Sequence, residues 1–136
     1  MNPYYHQNYT REQIDAILDK IKKCVVNRRF MISKNEHRQE NIDFINEYNS
    51  RSERQSSILL QILTEDFCHS LQNVKPGFEH EVLYVFVPQV QLSNADGEEE
   101  MVAVYIKSNM IDMQDGSRTI VISFHKLNRP IAYLFR

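Results

Sequence analysis

Apolar residues recur at helical spacing in the first half of the chain and at strand spacing in the second. Ile14, Ile17, Leu18, Ile21 and Val25 lie three or four apart, behind Thr10-Arg11-Glu12-Gln13, a capping-box pattern. A first helix is expected there. Its exposed face and end carry Lys20, Lys22, Lys23, Arg28 and Arg29, where cations suit the negative end of a helix dipole. Such a face is either simply solvated or a contact for RNA or the ribosome. Phe30-Met31-Ile32-Ser33 reads as a short extended segment. Residues 36–48 predict a second helix with Ile42, Ile45 and Tyr48 as its apolar stripe. The polar stretch 49–52 ends in Ser52 as an N-cap for a third helix carrying Ile58, Leu59, Ile62 and Leu63. Thr64-Glu65-Asp66 predicts a cap for a short fourth helix with Phe67, Cys68, His69 and Leu71, stopped before Pro76-Gly77.

From residue 81 the period changes. Residues 82–87, 101–107 and 119–124 are runs rich in β-branched and aromatic side chains bounded by turn residues, and 131–135 is a further strand of the same kind. Residues 93–97 read as a loop and Asp115-Gly116 as a hairpin signal. With no repeat, low-complexity tract or linker, the expectation is one α+β domain over 1–136. Residues 1–75 are mainly helical in this reading, and 76–136 form an antiparallel sheet that carries the site.

Alternation along the strands sorts their side chains. Val102, Val104 and Ile106 form the core set of one strand, leaving Ala103, Tyr105 and Lys107 on the other face. In the partner strand Ile120, Ile122 and Phe124 are the core set, opposite Val121, Ser123 and His125. A three-residue loop over Gln114, Asp115 and Gly116 would pair Met113 with Ser117, so that Tyr105 faces His125 and Lys107 faces Ser123. A two-residue Asp115-Gly116 loop would instead set His125 beside Ile106, mixing polar with core.

A phenol, an ammonium and an imidazole on one face suit cleavage of RNA by attack of a 2′-OH on the adjacent phosphate. That reaction needs a base, an acid and a cation where charge gathers. His125 can move protons near neutral pH and Lys107 can supply charge. Any exposed strand can also carry these residue types, which is the bland alternative.

Composition narrows the setting. The 136 residues are 42% hydrophobic and 25% charged, ordinary for one globular domain. No apolar run reaches the roughly 20 residues of a membrane span. The Met1-Asn2-Pro3-Tyr4-Tyr5-His6 start has no signal-peptide pattern, and Cys24 and Cys68 lie outside any metal-ligand spacing. Both thiols are therefore expected reduced in a cytoplasmic protein. With net charge −2, pI about 6.2 and Glu98, Glu99 and Glu100 adjacent, any nucleic-acid contact must be a local site rather than a generally basic surface.

Four blocks in one order resemble the motility-quorum-sensing-regulator (MqsR) family of ribosome-dependent mRNA-cleaving toxins: Leu63-Thr64-Glu65-Asp66-Phe67-Cys68-His69-Ser70, His80-Glu81-Val82-Leu83-Tyr84, Val104-Tyr105-Ile106-Lys107 and Ile120-Val121-Ile122-Ser123-Phe124-His125. The resemblance spans roughly residues 60–126. It implies a RelE-like fold, an endoribonuclease that cleaves mRNA without metal or cofactor, and a cognate antitoxin as protein partner. Tyr105 matches a family tyrosine and Lys107 the lysine two residues on. His69 and His125 stand where the best-known member has catalytic lysines, and Glu81 where it has a glutamine.

The catalytic candidates are therefore His125, Tyr105, Lys107, His69, His80 and Glu81, with Lys107, Lys126 and Arg129 as RNA contacts. Arg129 and Arg136 could equally serve packing. Cys68, His69, His80, Glu81 and His125 lack regular ligand spacing and are not read as a metal site. The rival readings are a non-catalytic interaction module, using the acidic loop and the basic first helix, and an inert relative that kept the fold.

Overall fold

The computed structural model describes residues 5–33, 39–48, 52–72, 76–77, 81–113 and 116–136. In chain order the elements are β1 (Tyr5–His6), α1 (Arg11–Val26), β2 (Phe30–Ile32), α2 (Gln39–Glu47), α3 (Ser52–Leu60), β3 (Phe67–Gln72), β4 (Val82–Phe86), β5 (Gln89–Ser93), β6 (Glu99–Ser108), β7 (Ile111–Met113) and β8 (Gly116–Lys126). The fold is α+β.

The capping box forms as the sequence requires. Gln13 donates its backbone N–H to Thr10 Oγ1 at 3.2 Å, and Thr10 donates its own to Gln13 Oε1 at 2.8 Å. Behind it α1 buries Ile14, Leu18, Ile21, Cys24 and Val25.

The strands follow the order β1-β3-β4-β6-β8-β2, with β5 added to β6 and β7 to β8. The expected antiparallel sheet is in fact mixed, because β2 runs parallel to β8, pairing Phe30 with Thr119 and Ile32 with Val121. A parallel pair needs a long crossover between its strands, and everything from α2 to β7 lies between these two. Strands also come from the first half of the chain: β1, β2 and β3 all precede residue 75, so that half is less purely helical than its periodicity suggests.

Other expectations are corrected as well. The fourth helix is absent: Thr64–Asp66 is one 3-10 turn, after which β3 carries Phe67, Cys68 and His69 as a strand. The Asp66 carboxylate accepts the Leu63 N–H at 2.7 Å, capping the turn at its start, while Phe67 is already extended, φ −68° and ψ 133°. Residues 131–135 form no strand. Instead the tail docks by Leu134 N–H on Phe67 O (3.1 Å), Tyr133 hydroxyl on Val87 O (2.8 Å) and Arg136 Nη2 on Asp66 Oδ1 (2.7 Å). In α2 the buried residues are Asn41 and Phe44, continued by Tyr48 just past its end, with Ile42 and Ile45 only half-buried.

The larger core lies on the helix-bearing face of the sheet. There Ile14, Leu18, Ile21, Phe44, Ile58 and Leu59 pack against Phe67, Phe86, Val104, Ile106, Val121 and Phe124. Each such fully buried side chain contributes roughly 1.5–3 kcal/mol relative to exposure. Val85, one residue out of phase with Phe86, joins Cys68 and Val87 in a smaller cluster bordered by Leu71, Ala103, Tyr105, Leu127, Ile131 and Tyr133. The candidate site is on this second face. Among the described residues no helix is long and apolar enough to cross a membrane.

Candidate active site

The central hairpin reaches its register by an unexpected route. At the tip Met113 pairs with Gly116 and Ile111 with Arg118, one step away from the three-residue-loop register; residues 114 and 115 lie outside the described residues. Farther along, Ser108 pairs with Val121 but Lys107 with Ser123, so Ile122 is an extra residue on β8, a bulge. Beyond it Ile106 faces Phe124 and Tyr105 faces His125.

The bulge also reverses which residues of β8 meet the helices. Before it Thr119 and Val121 are buried, and after it Phe124 is, while Ile120 and Ile122 are only half-buried. Strict alternation had assigned Ile120 and Ile122 to the core; one inserted residue changes the parity.

Tyr105 and His125 stack, ring centroids 5.3 Å apart and planes 17° from parallel. His125 Nδ1 lies 2.8 Å from the Lys126 carbonyl oxygen. A carbonyl only accepts, so the proton of the neutral ring is on Nδ1 and Nε2 keeps its lone pair. The Glu40 carboxylate approaches the same edge, Oε2 at 3.5 Å from Nδ1, with the His125 side chain 13% exposed. Asn128 Nδ2 donates to that same Oε2.

Lys107 belongs to the next row of the sheet. Val85 lies between His69 and Lys107, and Ser123 faces Lys107 on the other side, so His69, Val85, Lys107 and Ser123 form one line across β3, β4, β6 and β8. His69 is 3% exposed. Burial first, and the charge of Lys107 second, pull its imidazole down to about 4. At neutral pH it is therefore uncharged and does not supply the cation expected of a lysine at that position. The neighbouring Cys68 thiol is pushed up to about 12, mainly by burial, and stays protonated.

The remaining candidates scatter. Glu81 immediately precedes β4, where its Oε1 accepts from Asn109 Nδ2. His80 lies outside the described residues. Lys126 points toward α2, its Nζ 3.0 Å from Glu47 Oε1 and 5.2 Å from the Tyr48 ring centre. Hydrogen bonding to Tyr48, then to Glu47, raises its pKa. It is thus engaged on the helix side rather than beside His125. Arg129 is exposed in the segment after β8. Among the described residues no group of three or more His, Cys, Asp or Glu side chains converges as a metal site would.

Two residues of α2 were not foreseen from the sequence. Glu40 is one, reaching His125. Asn41 is the other: 1% exposed, it donates Nδ2 to Ser33 O at 2.9 Å and to Ile122 O at 2.8 Å, and accepts the Phe124 N–H on Oδ1 at 2.7 Å. Where β2 ends, its side chain takes over the edge of β8. A polar residue three before Phe44 and seven before Tyr48, on the apolar stripe, was the available signal. No protein-family model matches the chain, and neither the curated proteins nor the solved structures include one that matches it.

Proposed function

We propose that the chain is an endoribonuclease of the mRNA-interferase kind, the toxin of a toxin-antitoxin pair, with a RelE-like arrangement of its sheet and helices. The observation that carries the reading is the Tyr105–His125 stack, in which the Nδ1 hydrogen bond to Lys126 O leaves Nε2 as a proton acceptor. Lys107, one row away on the same face, adds the charge the reaction needs.

In this mechanism His125 Nε2 takes the proton of an RNA 2′-OH while the oxygen attacks the adjacent phosphorus. The P–O5′ bond breaks as the new P–O2′ bond forms, and the leaving 5′ oxygen takes a proton from the Tyr105 hydroxyl or the Lys107 ammonium. Lys107 opposes the charge gathering on the phosphate oxygens. Burial and partners bear on two of the roles. His69 is buried and uncharged, which gives it the part of a neutral neighbour of Lys107. Lys126 is engaged by α2, which leaves Arg129 and Lys107 as phosphate contacts. The substrate in this reading is mRNA, on the ribosome or off it, and the partner a cognate antitoxin.

The test is induced expression of the native chain and of His125→Ala, with growth followed, transcript 5′ ends mapped and folding checked by circular dichroism. Growth arrest with new, sequence-clustered ends in the native chain alone is the expected result. A folded native chain producing neither arrest nor new ends overturns the reading and favours the non-catalytic interaction module.

A further inference from the structure

We infer that Glu40 is the positioning carboxylate of His125, holding its imidazole so that Nε2 is presented to substrate; as a statement about catalysis this rests on the nuclease reading above. Four observations converge. The Tyr105 ring covers one face of the imidazole at 17°, so the remaining freedom is rotation that exchanges the two nitrogens. The Nδ1 edge is hydrogen-bonded to the Lys126 carbonyl at 2.8 Å, and Glu40 Oε2 stands 3.5 Å from the same nitrogen as an ion-pair contact.

Glu40 is itself steadied, since its Oε2 also receives Asn128 Nδ2. The next residue, Asn41, joins the backbone of β8 at the bulged Ile122 and at Phe124 two residues on. The first turn of α2 is therefore hydrogen-bonded to the strand bearing His125. An acceptor on Nδ1 fixes the tautomer of the neutral ring, and a carboxylate there also stabilises the imidazolium once Nε2 has taken a proton.

Tyr105 and Lys107 of β6 share the ring's face of the sheet, and Lys126, which follows His125, is turned to the helix side. Of the α2 carboxylates, Glu47 is occupied by Lys126, Asp43 accepts from Gln39 Nε2, and Glu40 approaches the ring. Glu40 is thus the carboxylate whose removal should reach the ring. Its side chain is 63% exposed, and exposed ion pairs contribute little to stability, so substitution there should leave the fold intact.

The experiment compares native chain, Glu40→Ala and Glu40→Gln by nitrogen-15 NMR of the His125 ring in mildly alkaline solution. Steady-state cleavage of an RNA oligonucleotide is measured in parallel. The native ring should carry its proton on Nδ1, and Glu40→Ala, which keeps only the Lys126 carbonyl on that edge, should raise the minor Nε2–H population. In the cleavage assay kcat should fall on the order of tenfold or more with KM little changed. An Nε2–H ring in the native chain, or a tautomer and kcat unaffected by both substitutions, overturns the assignment. A tautomer shift in Glu40→Ala with no cleavage by any of the three proteins sustains the positioning role and removes the nuclease reading instead.

Discussion

The side-chain oxygen of Asn41 accepts the Phe124 N–H at 2.7 Å, one residue before His125. With the same amide's nitrogen on the carbonyls of Ser33 and Ile122, one side chain replaces the missing strand neighbour at a bulge. Asn41→Asp keeps the shape but loses both donors and turns carboxylate oxygens toward two carbonyls. It should destabilise by roughly 2–4 kcal/mol, more than Asn41→Ser, because buried groups are left unsatisfied or opposed. Urea unfolding with an unchanged m-value would measure this. A loss below about 1 kcal/mol would show that the edge of β8 does not depend on the amide.

His69 gives a pH dependence whose sign follows from its environment. Its folded-state value of about 4 lies below the 6.5 of an unhindered imidazole. Between those values the unfolded chain therefore holds a proton that the folded chain lacks. The contribution is fully present above pH 6.5 and is lost as pH falls through the window, at no more than about 1.4 kcal/mol per pH unit. Subtracting the stability curve of His69→Gln from that of the native chain should expose this slope, and a flat difference would show that His69 titrates normally.

Arg28 holds φ at 58°, the left-handed region. Its N–H bonds to Val25 O at 3.1 Å and that of Arg29 to Cys24 O at 2.7 Å, the Schellman pattern that ends helices, usually with glycine. Arg28→Gly removes the steric cost of Cβ there and should stabilise the chain by about 0.5–1 kcal/mol. Thermal unfolding would read this as a rise in Tm. A lowered Tm would mean that the arginine side chain contributes more than its backbone geometry costs.

Local rules read well where local rules decide. The Thr10–Gln13 box, the helical stripe of α1 and the faces of β6 follow from spacing, because each depends on residues within one or two turns or on strict alternation. Failures came where distant segments set the outcome. β2 looks like any short apolar run; only Thr119 and Val121, far along the chain, make it a parallel edge strand. The segment 64–71 has helix-capping residues, yet pairing of β3 with β4 and β1 overrides them. At β8 the sequence Ile120-Val121-Ile122 is apolar at every position, so period alone could not show where the bulge falls.

The pairing of Tyr105 with His125 was legible in its outcome and not in its cause. The tip register and the bulge each depart from a regular three-residue loop by one step, and the two departures cancel. Glu40 could not be found by spacing, being 85 residues from His125 and on another element. His69 and Lys126 were legible as side chains of suitable chemistry. Whether such a group faces the site is fixed by burial and partners, and here burial takes the charge from one while α2 takes up the other.

The most direct test of the central claim is cleavage of a defined RNA in the presence of a metal chelator, with its match bearing a single 2′-deoxy nucleotide at the mapped site. Cleavage of the all-RNA strand to a 2′,3′-cyclic phosphate end is the predicted result, lost on the 2′-deoxy strand and reduced on the order of a hundredfold or more in His125→Ala. Cleavage that tolerates the 2′-deoxy substitution, or that survives His125→Ala undiminished, would contradict attack by the 2′-OH with His125 as its base.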